Sequence, residues 1–316
     1  MFVQLFFMGK LQVLLVSVLL LGGLASCKTQ EVDPSVATTY AANIKDISDY
    51  ATSKGLSGTS TSSGLFYAVT KASSSTIAAN YGQELEFTYT LSVLSRSTSN
   101  TAVVTAKKVD STYAVNPTFV PFIKGALKEG LQEGLLLMHE GNQFVLLMPS
   151  ILAYGDVKSS DGLVEANSSV RFDVTLNRSR TEDQQMDEYI AASGLSLTQQ
   201  TNTGLRFFLT TPNAAGDSVK TATSAGKVLT LKYVAKQLHA KTVVGFDSTS
   251  TGLNLYKDAA GFTEGLAKMR VGEKATFIFP SSLGYSTKGL VDKSTGFYKV
   301  SPYAPLRYDV EVVSAK

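Results

Sequence analysis

Met148-Pro149-Ser150-Ile151-Leu152-Ala153-Tyr154-Gly155 follows directly on an apolar run, Gln143–Met148, that reads as a β-strand. The string returns as Phe279-Pro280-Ser281-Ser282-Leu283-Gly284-Tyr285, behind a second run of the same kind, Lys274–Phe279, at an offset of 131 residues. The match extends in both directions along the chain. Upstream, Gly130-Leu131-Gln132-Glu133-Gly134 pairs with Gly261-Phe262-Thr263-Glu264-Gly265, and Met138 and Gly141 pair with Met269 and Gly272. Downstream, Phe172-Asp173-Val174 pairs with Tyr308-Asp309-Val310. Further upstream, Tyr50 and Tyr189 are each followed five residues later by Gly-Leu-Ser. Ordered matches at nearly fixed offsets indicate a tandem duplication, with a period too long for a solenoid.

Each copy reads as β-rich with one central helix. In copy one, Leu85, Phe87, Tyr89, Leu91 and Val93 alternate with polar residues over Gln83–Leu94, the period of a half-buried strand. Thr101–Val109 is a β-branched run, and Leu127, Leu131, Leu135 and Met138 mark one face of a helix. Gln143–Met148 and Ser169–Leu176 are the closing strands. Copy two repeats the order with Lys227–Leu238, a helix over Ala259–Met269, Lys274–Phe279 and Leu306–Val313. A short amphipathic helix precedes each copy: Val36–Ser53 with Ile44, Ile47 and Tyr50, and Glu182–Ala192 with Met186, Tyr189 and Ile190. The fold class expected is α+β, with domains at 46–180 and 181–316 and the junction at Asn177–Arg180.

Composition agrees with this and excludes much else. At about 150 residues per domain, 316 residues suggest two domains. Charged residues are 17%, below the roughly 25% usual in soluble domains. The net charge is +3 with no basic block, so no nucleic-acid partner is expected. One Cys and two His argue against a disulfide framework, a metal site or a haem. No phosphate-binding loop, zinc helix or nucleophile elbow is present, and no cofactor is expected.

The single Cys lies in Leu24-Ala25-Ser26-Cys27, after the apolar run Leu11–Ala25 and the basic Lys10. This resembles a bacterial lipoprotein signal peptide with its lipobox; the alternative, a transmembrane anchor, would be short for a span. Residues 1–26 are then a signal peptide. Cys27 is the lipidated first residue of the mature chain, and 27–45 is anchor and tether. The protein would sit in the bacterial cell envelope, membrane-bound through Cys27. The absence of Asp after Cys27 favours the outer membrane.

Both copies resemble FKBP-type peptidyl-prolyl isomerase domains. The strings that carry the likeness are Phe87-x-Tyr89, Val109-Asp110-Ser111, Gly130-Leu131-x-Glu133-Gly134, Pro149-Ser150-Ile-Leu-Ala-Tyr154-Gly155 and Phe172-Asp173-Val174. In copy two they are Leu231-Lys-Tyr233, Phe246-Asp247-Ser248, Gly261-Phe262-x-Glu264-Gly265, Phe279-Pro280-Ser281-Ser-Leu-Gly-Tyr285 and Tyr308-Asp309-Val310. The resemblance implies a sheet curled around one helix, with an aromatic pocket between them that binds proline-containing peptides and needs no cofactor.

Carried across residue by residue, the copy-two pocket is Tyr233, Phe246, Asp247, Phe262, Tyr285, Val300 and Tyr308. Tyr233, Phe246, Phe262 and Tyr308 are the proline-binding walls and Tyr285 is the hydroxyl donor to a substrate carbonyl. Asp247 either faces the carbonyl carbon or orders Tyr233, and Asp-Ser at 110 and 247 could equally cap turns. The weaker copy-one set is Tyr89, Val109, Asp110, Leu131, Tyr154, Val164 and Phe172. Both copies depart from the family pattern. Leu131 and Phe262 replace the Trp usual at the pocket floor, which implies a deeper pocket. Leu127-Lys128 and Asp258-Ala259 replace the apolar pair before the helix, and the copy-two loop Ser286–Pro305 is long. Isomerase assistance to the folding of exported proteins is the function expected; the alternative is a peptide-binding chaperone or scaffold without catalysis.

Overall fold

Two antiparallel sheets, each of seven strands, carry the molecule, and the unit from Ala42 to Lys316 contains both. The computed structural model describes residues 33–238 and 259–316, together with the backbone of Val243–Thr249 and Gly252–Leu253.

Helix α1 (Pro34–Ser53) leads into β1 (Thr59–Ser60), β2 (Phe66–Lys71), β3 (Glu84–Arg96), β4 (Val104–Ser111) and β5 (Thr118–Pro121). Then come α2 (Glu129–Leu136), β6 (Gln143–Met148) and β7 (Val170–Arg180). The second round is α3 (Glu182–Ser193), β8 (Gln199–Gln200), β9 (Arg206–Thr211), α4 (Val219–Ser224), β10 (Leu229–Leu238), β11 (Val243–Thr249) and β12 (Gly252–Leu253). It ends with α5 (Ala260–Leu266), β13 (Lys274–Phe279), β14 (Leu290–Val291), β15 (Tyr298–Val300) and β16 (Leu306–Ala315).

The strand orders are the same. The first sheet runs β1-β2-β6-β7-β3-β4 with β5 beside β3, and the second runs β8-β9-β13-β16-β10-β11 with β12 beside β10. The register repeats as well. Phe172 faces Leu91 and Leu146 across its two neighbours, as Tyr308 faces Ala235 and Phe277. Duplication in the sequence is thus duplication in space, and the α+β architecture of two wrapped sheets is the one the sequence led us to expect.

One face of each sheet closes over its helix. Leu131 and Leu135 of α2 pack into a core with Leu85, Phe87, Leu146 and Phe172. Phe262 and Leu266 of α5 pack with Leu231, Phe277 and Tyr308. Glycines allow the approach: a Cβ on Gly134 would lie 2.3 Å from the Leu146 side chain, and one on Gly265 2.5 Å from the Phe277 ring. The opposite faces take the preceding helices. Ile47, Tyr50 and Ala51 of α1 cover Ala68, Leu94, Val145 and Leu147, and Met186 of α3 packs with Phe208, Leu238 and Ile278. The helix already begins at Pro34, within the stretch 27–45, and Asn43 of that stretch is buried. No linker separates the copies: β7 continues through Arg180, and Thr181 caps α3 in a reciprocal capping box with Gln184.

The strings Pro149-Ser150 and Pro280-Ser281 are gripped by these helices. Asn43 accepts the Ser150 N–H at 2.7 Å, and Glu182 accepts both the N–H and the hydroxyl of Ser281 at 2.5 and 2.7 Å. A second pair of contacts repeats around the Asp of each closing strand. Arg171 donates to Asp173 and to the Tyr50 hydroxyl, and Arg307 donates to Asp309 and to the Tyr189 hydroxyl.

Burial alone would push the Asp309 carboxyl up. Hydrogen bonds from Arg307 and Thr276, with Lys236 beside them, outweigh it and hold the carboxyl below its ordinary value. The sign follows: a lowered folded value means stability that is full above the ordinary carboxylate range and is lost as pH falls through the folded value. Asp309→Asn should cost about 1.5 kcal/mol at pH 7. The gap between variant and parent should narrow toward pH 3, as urea unfolding at both pH values will test.

The helix α4 and the β14–β15 hairpin have no counterpart in the sequence reading. Among the described residues no helix is long and apolar enough to cross a membrane.

Candidate active site

In copy two, alternation along β10 buries Leu231, Tyr233 and Ala235 on the side facing α5. Tyr308 projects to the same core from β16, between buried Leu306 and Val310. Phe262 rises from α5 between Gly261 and Gly265, where a Cβ would meet the Phe279 and Phe277 rings at 2.5 Å. The ring centroids of Tyr233 and Phe262 are 5.3 Å apart, those of Phe262 and Tyr308 4.9 Å, and those of Tyr233 and Tyr308 5.8 Å. Val300 is buried with them, and half-buried Tyr285 packs against the same core.

Five of the seven copy-two candidates thus meet in one cluster. Phe262 is 0% exposed, with the rings of Tyr233, Phe277 and Tyr308 around it. Phe246 and Asp247 belong to β11, and their side chains lie outside the described residues. The backbone register sets Asp247 opposite Ala235, as it sets Asp110 opposite Leu91 in copy one.

Copy one is described in full. The Tyr89 hydroxyl donates to Asp110 at 2.5 Å, while the other oxygen of Asp110 accepts the Ser111 N–H at 2.7 Å. Asp110 therefore orders the tyrosine with one oxygen and holds the backbone N–H of the next residue of β4 with the other. Burial first, and then the Asp110 hydrogen bond, push the Tyr89 hydroxyl far above the ordinary phenol range. Burial, with the charges of Asp161 and Asp110, also raises Tyr154. Both hydroxyls stay protonated, as hydrogen-bond donors must.

The Tyr89 ring lies 5.7 Å from Phe172, and Leu131, Val164 and Phe172 form the buried floor beneath half-buried Val109 and Tyr154. The copy-one candidates are all brought together. Beside them a concavity of about 750 Å³ opens over the start of α2, lined by Leu127, Lys128, Leu136, Ile151, Leu152 and Tyr154 among others.

Two residues of this site, Gln132 and Asp161, carry no motif signal in the sequence, and a third, Lys128, enters there only through the pair before the helix. Lys128 sets its ammonium 4.5 Å above the Tyr154 ring. Buried Gln132 donates to the Leu127 carbonyl at 2.7 Å and accepts the Gly125 N–H at 2.9 Å, fixing the segment before the helix. Asp161 adds negative charge near both tyrosines. The 131-residue offset held a signal: it aligns Lys128 with Ala259 and Gln132 with Thr263, marking two positions where the copies diverge.

A site of this kind holds apolar walls, neutral hydroxyl donors and a carboxylate. The profile of the family described as FKBP-type peptidyl-prolyl cis-trans isomerase matches residues 76–177 and 219–313, more than half of the chain. The chain belongs to this family. A rat relative, peptidyl-prolyl cis-trans isomerase FKBP9 of Rattus norvegicus, is 24% identical over 207 residues, which are 65% of this chain and 31% of the rat protein. The chain therefore spans about a third of that relative's length.

Among solved structures, the three FKBP domains of wheat FKBP73 align at 15% identity with a TM-score of 0.36, covering 81% of this chain and 96% of that one. FkpA from Escherichia coli aligns at 22% identity with a TM-score of 0.37, covering 54% and 71%. The two segments matched by the family profile, 76–177 and 219–313, fall one on each sheet, so the chain holds two FKBP-type domains in tandem.

Proposed function

We propose that this chain isomerises X–Pro peptide bonds in exported proteins, from a lipid-anchored position in the bacterial cell envelope. Each of its two units, 46–180 and 181–316, carries a pocket. Leu24-Ala25-Ser26-Cys27 supports the anchor; Cys27 itself lies outside the described residues, and the outer membrane remains our assignment from the residues that follow it.

Rotation about a peptide bond meets a barrier of about 18–20 kcal/mol that comes from amide resonance. X–Pro bonds interconvert unaided over tens to hundreds of seconds. The twisted amide has lost resonance and carbonyl polarity, so a water-poor aromatic pocket favours it over the planar form. A tyrosine hydroxyl would steady the carbonyl as it turns, and no covalent step or cofactor is required. The observation that carries the reading is the repeated register, Tyr89 and Asp110 in one copy and Tyr233 and Asp247 in the other.

The test is NMR exchange on a short Phe-Pro peptide with the full chain. We expect acceleration, and a loss of about tenfold in the copy-two contribution for Asp247→Ala or Tyr285→Phe. No acceleration would overturn the enzyme reading, and unchanged rates in both variants would overturn the site. A binding-only reading has an observation of its own, the complete burial of Phe262 at the copy-two floor. Titration with a denatured outer-membrane protein, binding without acceleration, would establish it instead.

A further inference from the structure

The loop that follows Tyr285 is held in place by the other copy. Tyr303, in that loop, lies against Gly82 of copy one, so closely that a Cβ on Gly82 would come within 3.1 Å of two ring carbons. The Tyr303 N–H donates to the Ser286 carbonyl at 2.9 Å, and Ser286 is the residue next to Tyr285. Gly289 completes the connection by donating to the Tyr285 carbonyl at 3.0 Å, with its own backbone pressed on Pro302. A short chain of contacts therefore joins copy one to the hydroxyl donor of copy two.

Backbone conformation marks the same two residues. Ser286 has φ of +52° and Tyr303 φ of +58°, in the left-handed region that side chains other than glycine rarely adopt. Such conformations persist where the surroundings over-determine them.

The duplication supplies a comparison inside the molecule. At the matching point of copy one, Asn167 has φ of +60° and donates its N–H to the Gly155 carbonyl at 2.8 Å, just as Tyr303 does to Ser286. There the residue is held by its own leading helix, since Asn43 of α1 donates to the Asn167 carbonyl at 3.0 Å. In α3 the residue that grips the Pro-Ser string is Glu182, a carboxylate with no N–H to donate, and both of its oxygens accept from Ser281. The ring of Tyr303 turns to copy one instead.

We infer that Gly82 and Tyr303 form an interdomain latch that positions Tyr285, so that copy one supports catalysis at copy two while depending on its own helix for the equivalent contact. Tyr303 is a positioning residue in this scheme. The inference rests on the reading of Tyr285 as the hydroxyl donor.

The test uses the full chain labelled with 3-fluorotyrosine, with the ¹⁹F resonances of Tyr285 and Tyr154 assigned from Tyr285→Phe and Tyr154→Phe. Tyr303→Asn tolerates the left-handed backbone and removes the ring. Gly82→Asn, the side chain that best tolerates a positive φ, pushes the ring from the other side. Both should displace the Tyr285 resonance and leave that of Tyr154 in place, and Tyr303→Phe should restore it.

In peptide exchange with Asp110→Ala as the background, Tyr303→Asn should lower kcat about tenfold with little change in KM. A Tyr285 resonance unmoved by both variants overturns the latch. If Gly82→Asn does not fold, the Tyr303→Asn and Tyr303→Phe pair decides alone. A chain that accelerates no peptide overturns the isomerase reading, and the resonance still decides the positioning.

Discussion

Glu84→Ala should destabilise the protein by about 3 kcal/mol, the cost of leaving a buried charge without its partner. Glu84 and Arg180 pair at the start of β3 and the end of β7, with side chains only 5% and 7% exposed. Arg180 also donates to Glu188 of α3 at 2.8 Å, and its guanidinium lies 6.0 Å from the Phe119 ring. Its Nε has no partner among the described residues. The pair sits where copy one, α3 and copy two meet, beside Gln237, Leu238 and Pro302. Removing Glu84 leaves Arg180 with one half-exposed carboxylate and a dry neighbourhood, and Coulomb attraction to Glu188 does not offset the lost solvation. Replacing both residues, as in Glu84→Met with Arg180→Met, should recover most of the loss, because apolar groups of similar volume bury at no charge cost. Urea unfolding of parent, single and double variants will decide it. A single variant as stable as the parent would mean that water reaches the guanidinium.

The parts of the fold that were legible in the sequence are those fixed by neighbours in the chain. Gln143–Met148 and Lys274–Phe279 were read to the residue, since a short apolar run between a turn glycine and a proline leaves no freedom at either end. The helix α3 was read within a residue from Met186, Tyr189 and Ile190. What could not be read depends on partners far away in sequence. Arg180 finds Glu84 across 96 residues and Glu182 finds Ser281 across 99, and no local pattern announces either. For the same reason β7 runs four residues past Leu176: its last turns of ladder are stabilised by Glu84 and Glu188, not by its own alternation.

The site divides in the same way. Tyr89, Asp110, Tyr154 and Phe172 were legible as motif positions, and they do come together. Gln132 stands outside the motif strings, and Lys128 is legible in the sequence only as a departure from the apolar pair before the helix. Their meaning appears only when the Tyr154 ring and the Leu127 carbonyl are placed beside them.

A methyl group on Gly265 should cost copy two about 2 kcal/mol, and an isopropyl group about 4 kcal/mol. The opposing effect is known in size. Alanine inside a helix is favoured over glycine by roughly 1 kcal/mol, and valine by less. Against that, the new Cβ would lie 2.5–2.6 Å from three carbons of Phe277, where carbon atoms at contact are about 3.5–4.0 Å apart. Phe277 is 0% exposed, stacked on Phe207 with centroids 5.6 Å apart, so the ring has nowhere to retreat and the helix must lift instead. Lifting α5 moves Phe262, whose ring is 4.9 Å from Tyr308, and the aromatic floor opens with it. On the proposed isomerase function, Gly265→Val should lose the copy-two contribution to peptide exchange in step with stability, while the copy-one contribution persists. Gly265→Ala combined with Phe277→Leu, which trims the obstructing ring, should regain part of the stability. A Gly265→Ala chain with an unchanged unfolding midpoint would show that overlap at this helix–sheet contact is relieved at no cost, and that the glycine is there for another reason.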